Sequence, residues 1–196
     1  MMLTMLIAWL NRYATPRRLA WVGSCVVVLL AALNSVNLPF FVPDLRALSG
    51  GLGPLDARFW YDAQVVTLTL TALGEHGRAH YGWFLVAIDS WLPMAYTLAL
   101  LWAWHLARVS VLGHGHAGWR WVYALPLLGM VLDYLENVMT SLLLIAFPGQ
   151  PWGLASVLGY VTAGKYVASG VALVLTLVFA VRGWSGRRVT PDGANA

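Results

Sequence analysis

A chain of 196 residues is long enough for one domain, or two small ones. It is 60% apolar and only 10% charged, with a mean hydropathy of +0.69, whereas a soluble globule runs near ~45–50% apolar and ~25% charged. Too few charges exist to cover a water-facing surface, which excludes a soluble enzyme and a disordered chain, and the single cysteine, Cys25, excludes a disulfide scaffold. The net charge of +4 comes from arginines flanking apolar runs; no basic patch interleaved with aromatics points to nucleic acid.

In chain order, residues 2–10 predict a short surface helix leading to Arg12, Arg17 and Arg18. No basic residue precedes its apolar stretch, so it does not read as a cleaved signal peptide. A bilayer core about 30 Å thick takes roughly 20 apolar residues per helix. Four segments reach that length: 19–41, 81–106, 122–147 and 154–181. Between the first two, 43–55 is a Gly/Pro-rich connector. Residues 56–76 form a helix of mixed polarity, expected to lie at the interface and lid the bundle. A polar tail, 185–196, is expected to be disordered. The resulting fold class is all-α, a four-transmembrane-helix bundle with an interfacial amphipathic helix between spans one and two, in a single membrane domain over 1–184.

Eight arginines (Arg12, Arg17, Arg18, Arg108, Arg120, Arg182, Arg187 and Arg188) fall on one face, against Arg46, Arg58 and Arg78 on the other. The positive-inside rule then puts both termini in the cytoplasm. Trp21, Trp83, Trp102, Trp104, Trp119, Trp121, Trp152 and Trp184 sit near span ends, as an interfacial belt would, while Trp91 falls within span two.

Four ionisable residues interrupt the spans: Asp89, Asp133, Glu136 and Lys165, the last being the only lysine. Each costs about 2.5–3.5 kcal/mol at mid-membrane before pairing. At about 1.5 Å per residue, Asp89 lies roughly 12 Å from the outer end of its span, Glu136 and Lys165 roughly 17 Å, and Asp133 roughly 21 Å. Asn34 and Asn37 of span one fall in the same half. Helical phase agrees: Asp133, Glu136, Asn137 and Thr140 make one stripe, and Asp89, Pro93 and Tyr96 another, which Arg78 extends if its helix starts early. Thr162, Lys165, Ala168, Ser169 and Ala172 make a small-residue face on span four that permits close helix approach.

Three acids and one base sum to −2 when all are ionised. One or two carboxyls are therefore expected to be protonated, or a cation or cationic ligand to bind. Lys165 is expected to face Glu136 or Asp133. Pro93 removes the backbone hydrogen bond to the carbonyl of Asp89, which either opens a cavity or is simply tolerated. Glu75, His76 and His80 have a metal-compatible spacing but no further strong ligand, so no metal or cofactor is expected. His114 and His116 read as solvated loop residues and Cys25 as an inert buried one. Nucleotide-binding and nucleophile-elbow motifs are absent from the sequence.

The combination Leu73-Gly74-Glu75-x-Gly77-Arg78-x-x-Tyr81, Asp89-x-x-x-Pro93-x-x-Tyr96, Asp133-x-x-Glu136-Asn137 and Lys165 resembles a family of uncharacterised bacterial four-helix membrane proteins, over roughly residues 60–180. A looser likeness runs to the emopamil-binding (EXPERA) proteins, which implies a membrane pocket for sterol-like ligands; the lysine and the Asp-x-x-Glu-Asn element depart from that pattern.

The leading expectation is an outward-opening intramembrane pocket for a small amphipathic or lipid-like molecule. Asp89, Asp133, Glu136 and Lys165 would be the catalytic acids and base if the pocket supports proton transfer. Asn34, Asn37, Arg78, Tyr96, Asn137 and Thr162 are the ligand-binding candidates. Two alternatives stand beside it. One is a proton- or cation-coupled transporter, which four helices without a repeat would form as an oligomer. The other is a non-catalytic assembly subunit whose ion pairs fix helix packing.

Overall fold

The computed structural model describes residues 2–114, 116–149 and 153–187. Helices α1 (Met2–Tyr13), α2 (Pro16–Ser35), α3 (Val42–Leu48), α4 (Ala63–Phe84), α5 (Leu92–Leu112), α6 (Ala124–Ala146) and α7 (Leu154–Arg187) follow one another, and no strand occurs among the described residues. Four stretches are long and apolar enough to cross a membrane: Pro16–Ser35, Ala63–Leu112, Arg120–Ala146 and Leu154–Ser185. The all-α, four-span bundle expected from the sequence is therefore the fold.

Local chemistry sets the element boundaries, and several differ from expectation. Thr15 caps α2, its side chain accepting from the Arg18 N–H at 3.2 Å, and Pro16 follows at a position where a missing N–H costs nothing. The helix stops at Ser35, so 36–41 is not part of span one. Pro39 disfavours helical backbone at Leu38, Phe40 turns with φ 71°, and the Asp44 carboxylate accepts the Phe40 N–H at 2.8 Å. Residues 55–57 form a single 3₁₀ turn, and the helix expected over 56–76 begins at Ala63, capped by Asp62. It does not end at 76. It bends at Gly74, whose φ of 61° and ψ of −173° suit glycine, and continues toward span two. At that bend the Arg78 guanidinium donates to the Leu70 carbonyl at 3.0 Å.

The chain then passes through a π-helical turn, Leu85–Asp89, and breaks before α5. Pro93 has no N–H to offer the Asp89 carbonyl. Helix α6 supplies the donors instead: Asn137 Nδ2 reaches the Asp89 carbonyl at 3.3 Å, and the Tyr134 hydroxyl reaches that of Ser90 at 2.8 Å. The interruption is thus fastened to its neighbour.

Helices α5, α6 and α7 pack on one another as the centre of the bundle. Helix α2 leans on α5 and α3 and shares no packed interface with α7. Helix α1 lies across α5, with Leu10 fully buried and Trp9 stacked on Trp102 at 6.2 Å. Trp104 is buried against Phe179 and Tyr123, and Trp102 is buried too, so neither belongs to a lipid-facing belt; Trp21, Trp83, Trp119, Trp121 and Trp184 are exposed. Trp91 is also exposed, at 69%, and Cys25 is exposed on α2 instead of buried. Residues 185–187 belong to α7; the rest of the expected tail, 188–196, and Trp152 lie outside the described residues.

Candidate functional site

The buried charges converge from four directions. Lys165 of α7 places Nζ 2.5 Å from Glu136 Oε2 and 3.4 Å from Asp133 Oδ1, both on α6. The i, i+3 spacing of the two acids aims them at one cation. Glu136 Oε1 accepts the Thr162 hydroxyl at 2.6 Å and the Tyr61 hydroxyl at 3.4 Å. Asp133 Oδ2 accepts the Tyr96 hydroxyl at 2.7 Å. An ammonium flanked by two carboxylates, each with a further hydroxyl donor, is how charge survives in a medium that cannot solvate it.

Tyr61 comes from the connector, not from a span. The segment before α4 dips into the end of the bundle until its backbone lies on α7. Gly159 makes this approach possible, because a Cβ there would collide with the Tyr61 carbonyl. The Tyr61 ring is 2% exposed, and burial, reinforced by the nearby Glu136 charge, raises its phenol well above the ordinary tyrosine range. It stays protonated and remains a donor.

The same segment brings in a fourth acid, Asp56. Its Oδ1 accepts the Tyr81 hydroxyl at 3.2 Å, and its carbonyl accepts the Tyr166 hydroxyl at 2.7 Å. The residue is half-buried and borders a cavity. That burial raises it above the usual carboxylate range; the Lys165 charge opposes the shift and Asp133 reinforces it.

Beside this network lies a cavity of about 480 Å³. Its polar end is formed by Asp56, Asp89, Asp133 and Lys165; Leu30 and Leu33 of α2, Leu100 of α5 and Leu173 of α7 form apolar wall. Residues of both α2 and α7 line it, two helices with little packing between them. Two residues that border the cavity each carry a buried polar atom without a partner: Oδ2 of Asp89 and Oγ of Ser169. Asp89 is nevertheless only 5% exposed.

The ten candidates sort clearly. Asp89, Asp133, Lys165, Asn34 and Tyr96 border the cavity. Glu136 and Thr162 lie behind it in the ion-pair network, and Asn137 fastens the helix break. Asn34 bonds its own helix, Nδ2 to the Leu30 carbonyl at 2.8 Å. Asn37 and Arg78 do not join the cluster. Asn37 is exposed beyond the end of α2, and Arg78 serves the Gly74 bend, its guanidinium 4.4 Å over the Phe147 ring. Asp56 and Tyr61 join the cluster without any signal in the span pattern, while Tyr81 and Ser169, which the sequence marks only as a motif residue and as part of the small-residue face, prove to belong to it as well.

His80 is committed elsewhere, with Nδ1 2.9 Å from Asp44 Oδ2 and its ring on His76 at 4.2 Å. No group of three or more His, Cys, Asp or Glu is arranged to hold a metal ion among the described residues. Comparison with models of known families, with curated proteins and with solved structures finds no match to this chain.

Proposed function

We propose that this is an integral protein of a bacterial inner membrane, with both termini cytoplasmic, that binds a small amphipathic or lipid-like molecule in the cavity between α2, α5 and α7. The observation carrying this reading is the polarity of the cavity, charged at one end and aliphatic along its wall. Its volume of about 480 Å³ falls within the ~300–1,000 Å³ of ordinary ligand sites. A cavity lined by the loosely packed α2 and α7 suits a guest that arrives from the bilayer, because an apolar tail need never cross water. The excess of arginines on the side of the termini supports the orientation.

Within this reading the acids have different tasks. Glu136 and Lys165, with Tyr61 and Thr162, tie α6, α7 and the connector together. Asp56, Asp89 and Ser169 meet the guest. Asp133 does both, since it borders the cavity and bonds Lys165 and Tyr96. The Lys165–Asp133 pair offers a place for proton transfer to or from a bound head group.

Gly170 provides the test. It borders the cavity, and a Cβ there meets no atom within 4 Å. Gly170→Phe is expected to fill the cavity without disturbing the fold. Native mass spectrometry of the wild-type protein should retain an amphiphile adduct that the variant lacks, and 1-dodecanol should raise the melting temperature of the wild type alone. A wild-type protein that carries no adduct and melts unchanged with dodecanol would sink the proposal.

A further inference from the structure

The cavity has more acid than its one lysine can balance. Four carboxyls (Asp56, Asp89, Asp133 and Glu136) gather around a single ammonium, and no other Lys, Arg or His borders the cavity among the described residues. Lys165 is turned toward Glu136 and Asp133. Those two carboxylates are then completed by hydroxyls from Thr162, Tyr61 and Tyr96. Asp56 and Asp89 remain. Asp56 has one hydroxyl donor, from Tyr81. Asp89 borders the open volume, and its Oδ2 is buried and accepts nothing. All four ionised would leave the cluster at −3, which a low-dielectric site does not hold without protons or a cation.

We propose that the head group taken by this cavity is an organic ammonium, held between Asp89 and Asp56, with its apolar tail along Leu30, Leu100 and Leu173. The inference rests on the reading of the cavity as an amphiphile site and names the class of guest. An ammonium supplies both the charge and the N–H donors that Asp89 Oδ2 lacks. The rings of Phe84, Tyr96 and Tyr166 border the same space and favour a cation over a neutral head. A carboxylate or phosphate head would meet the like charges of Asp56 and Asp89, with only a lysine already paired to Glu136 and Asp133 to offset them. The described residues offer no group of three or more metal-ligating side chains, whereas the aliphatic wall of the cavity gives an organic cation a place for its tail.

The experiment compares three probes with the same tail and different heads: dodecylamine, 1-dodecanol and dodecanoate. Each is titrated near neutral pH into the full chain purified in a maltoside detergent. Dodecylamine should bind at least tenfold more tightly than dodecanol, and dodecanoate more weakly than either. Asp89→Asn should reduce dodecylamine affinity at least tenfold and leave dodecanol within twofold. Asp56→Asn, in the connector, should act in the same direction and stands in if Asp89→Asn does not fold.

Equal affinity for dodecylamine and dodecanol overturns the ammonium assignment while leaving an amphiphile cavity standing. Preference for dodecanoate overturns it in favour of Lys165 as the receptor. No binding of any probe by folded wild-type protein overturns the cavity reading as well.

Discussion

Two regions of this molecule bury charge, and they do so on opposite terms. Around Lys165, acids outnumber the base, and the surplus borders an open cavity. Near the far end of α5, Arg108 is fully buried with no carboxylate in ion-pair range among the described residues. Its Nη1 donates to the His116 carbonyl at 2.6 Å and its Nε to the Tyr123 hydroxyl at 3.2 Å, while His105 Nδ1 lies 2.9 Å from that same hydroxyl. Arg108 lies four residues before the end of α5. Trp104 and Phe179 pack beside Tyr123 and close the region. Arg108 meets neutral acceptors at Nη1 and Nε and leaves Nη2 without one, in a packed corner away from that cavity; the acids are left partly unmatched beside open space. Buried charge alone therefore does not mark a binding site. Unmatched charge facing a cavity does.

The largest effect should come from breaking the balance on the acid side. Lys165→Met leaves Glu136 and Asp133 buried without their cation, and removing one partner of a buried pair costs about 3–5 kcal/mol. The variant should fail to accumulate in the membrane. Adding Glu136→Gln should recover much of the loss, because it removes one of the two stranded charges. Equal membrane levels for Lys165→Met and wild type would show that the ion pairs do not hold the bundle together.

A smaller, opposite pair of effects sharpens the contrast. Arg108→Leu leaves the His116 carbonyl and Tyr123 hydroxyl without their donor, at a cost of about 1–3 kcal/mol. It should lower the melting temperature of the purified protein and leave dodecylamine affinity unchanged. Asp89→Asn should do the reverse: little loss in melting temperature, since Oδ2 has no partner to lose and the amide oxygen can keep the bond to Asn137, together with a loss of dodecylamine affinity. If both variants merely destabilise, the two regions are alike and the distinction drawn between them fails.

Much of the acid cluster was legible in the sequence because helical geometry is regular. Counting residues from the span ends gave Asp89, Asp133, Glu136 and Lys165 similar depths, and the i, i+3 phase of Asp133 and Glu136 aimed them at one partner. The errors arose where that regularity stops. Arg78 was placed on the Asp89 stripe by assuming an unbroken helix, whereas the structure has a π-helical turn between them. Asn37 was counted within a span that ends at Ser35. Asp56 and Tyr61 were missed because a connector has no period to extrapolate, and its return into the bundle depends on a match between Tyr61 and Gly159 nearly a hundred residues later. The orphaned Asp89 carbonyl, by contrast, followed directly from Pro93; only its acceptance of Asn137 needed the structure.

Asp56 supplies the smallest and most specific expectation, a dependence on pH. Burial raises this carboxyl in the folded protein, Asp133 adds to the rise, and Lys165 and the Tyr81 hydroxyl oppose it; Asp89 borders the same cavity. The unfolded chain titrates near the ordinary value of about 3.9. Below that value both states hold the proton, and the stabilising contribution of the neutral form is complete; it is lost as pH rises through the higher folded value. The empty protein should therefore lose melting temperature across this window relative to Asp56→Asn, which has no proton to release. Dodecylamine affinity should move the other way, because an ionised Asp56 is the better partner for an ammonium. Measuring both quantities from about pH 4 to about pH 8 separates cause from coincidence: a fall in stability that Asp56→Asn shares would assign the titration to another group, and an affinity that stays flat while wild-type stability falls would remove Asp56 from the head-group site.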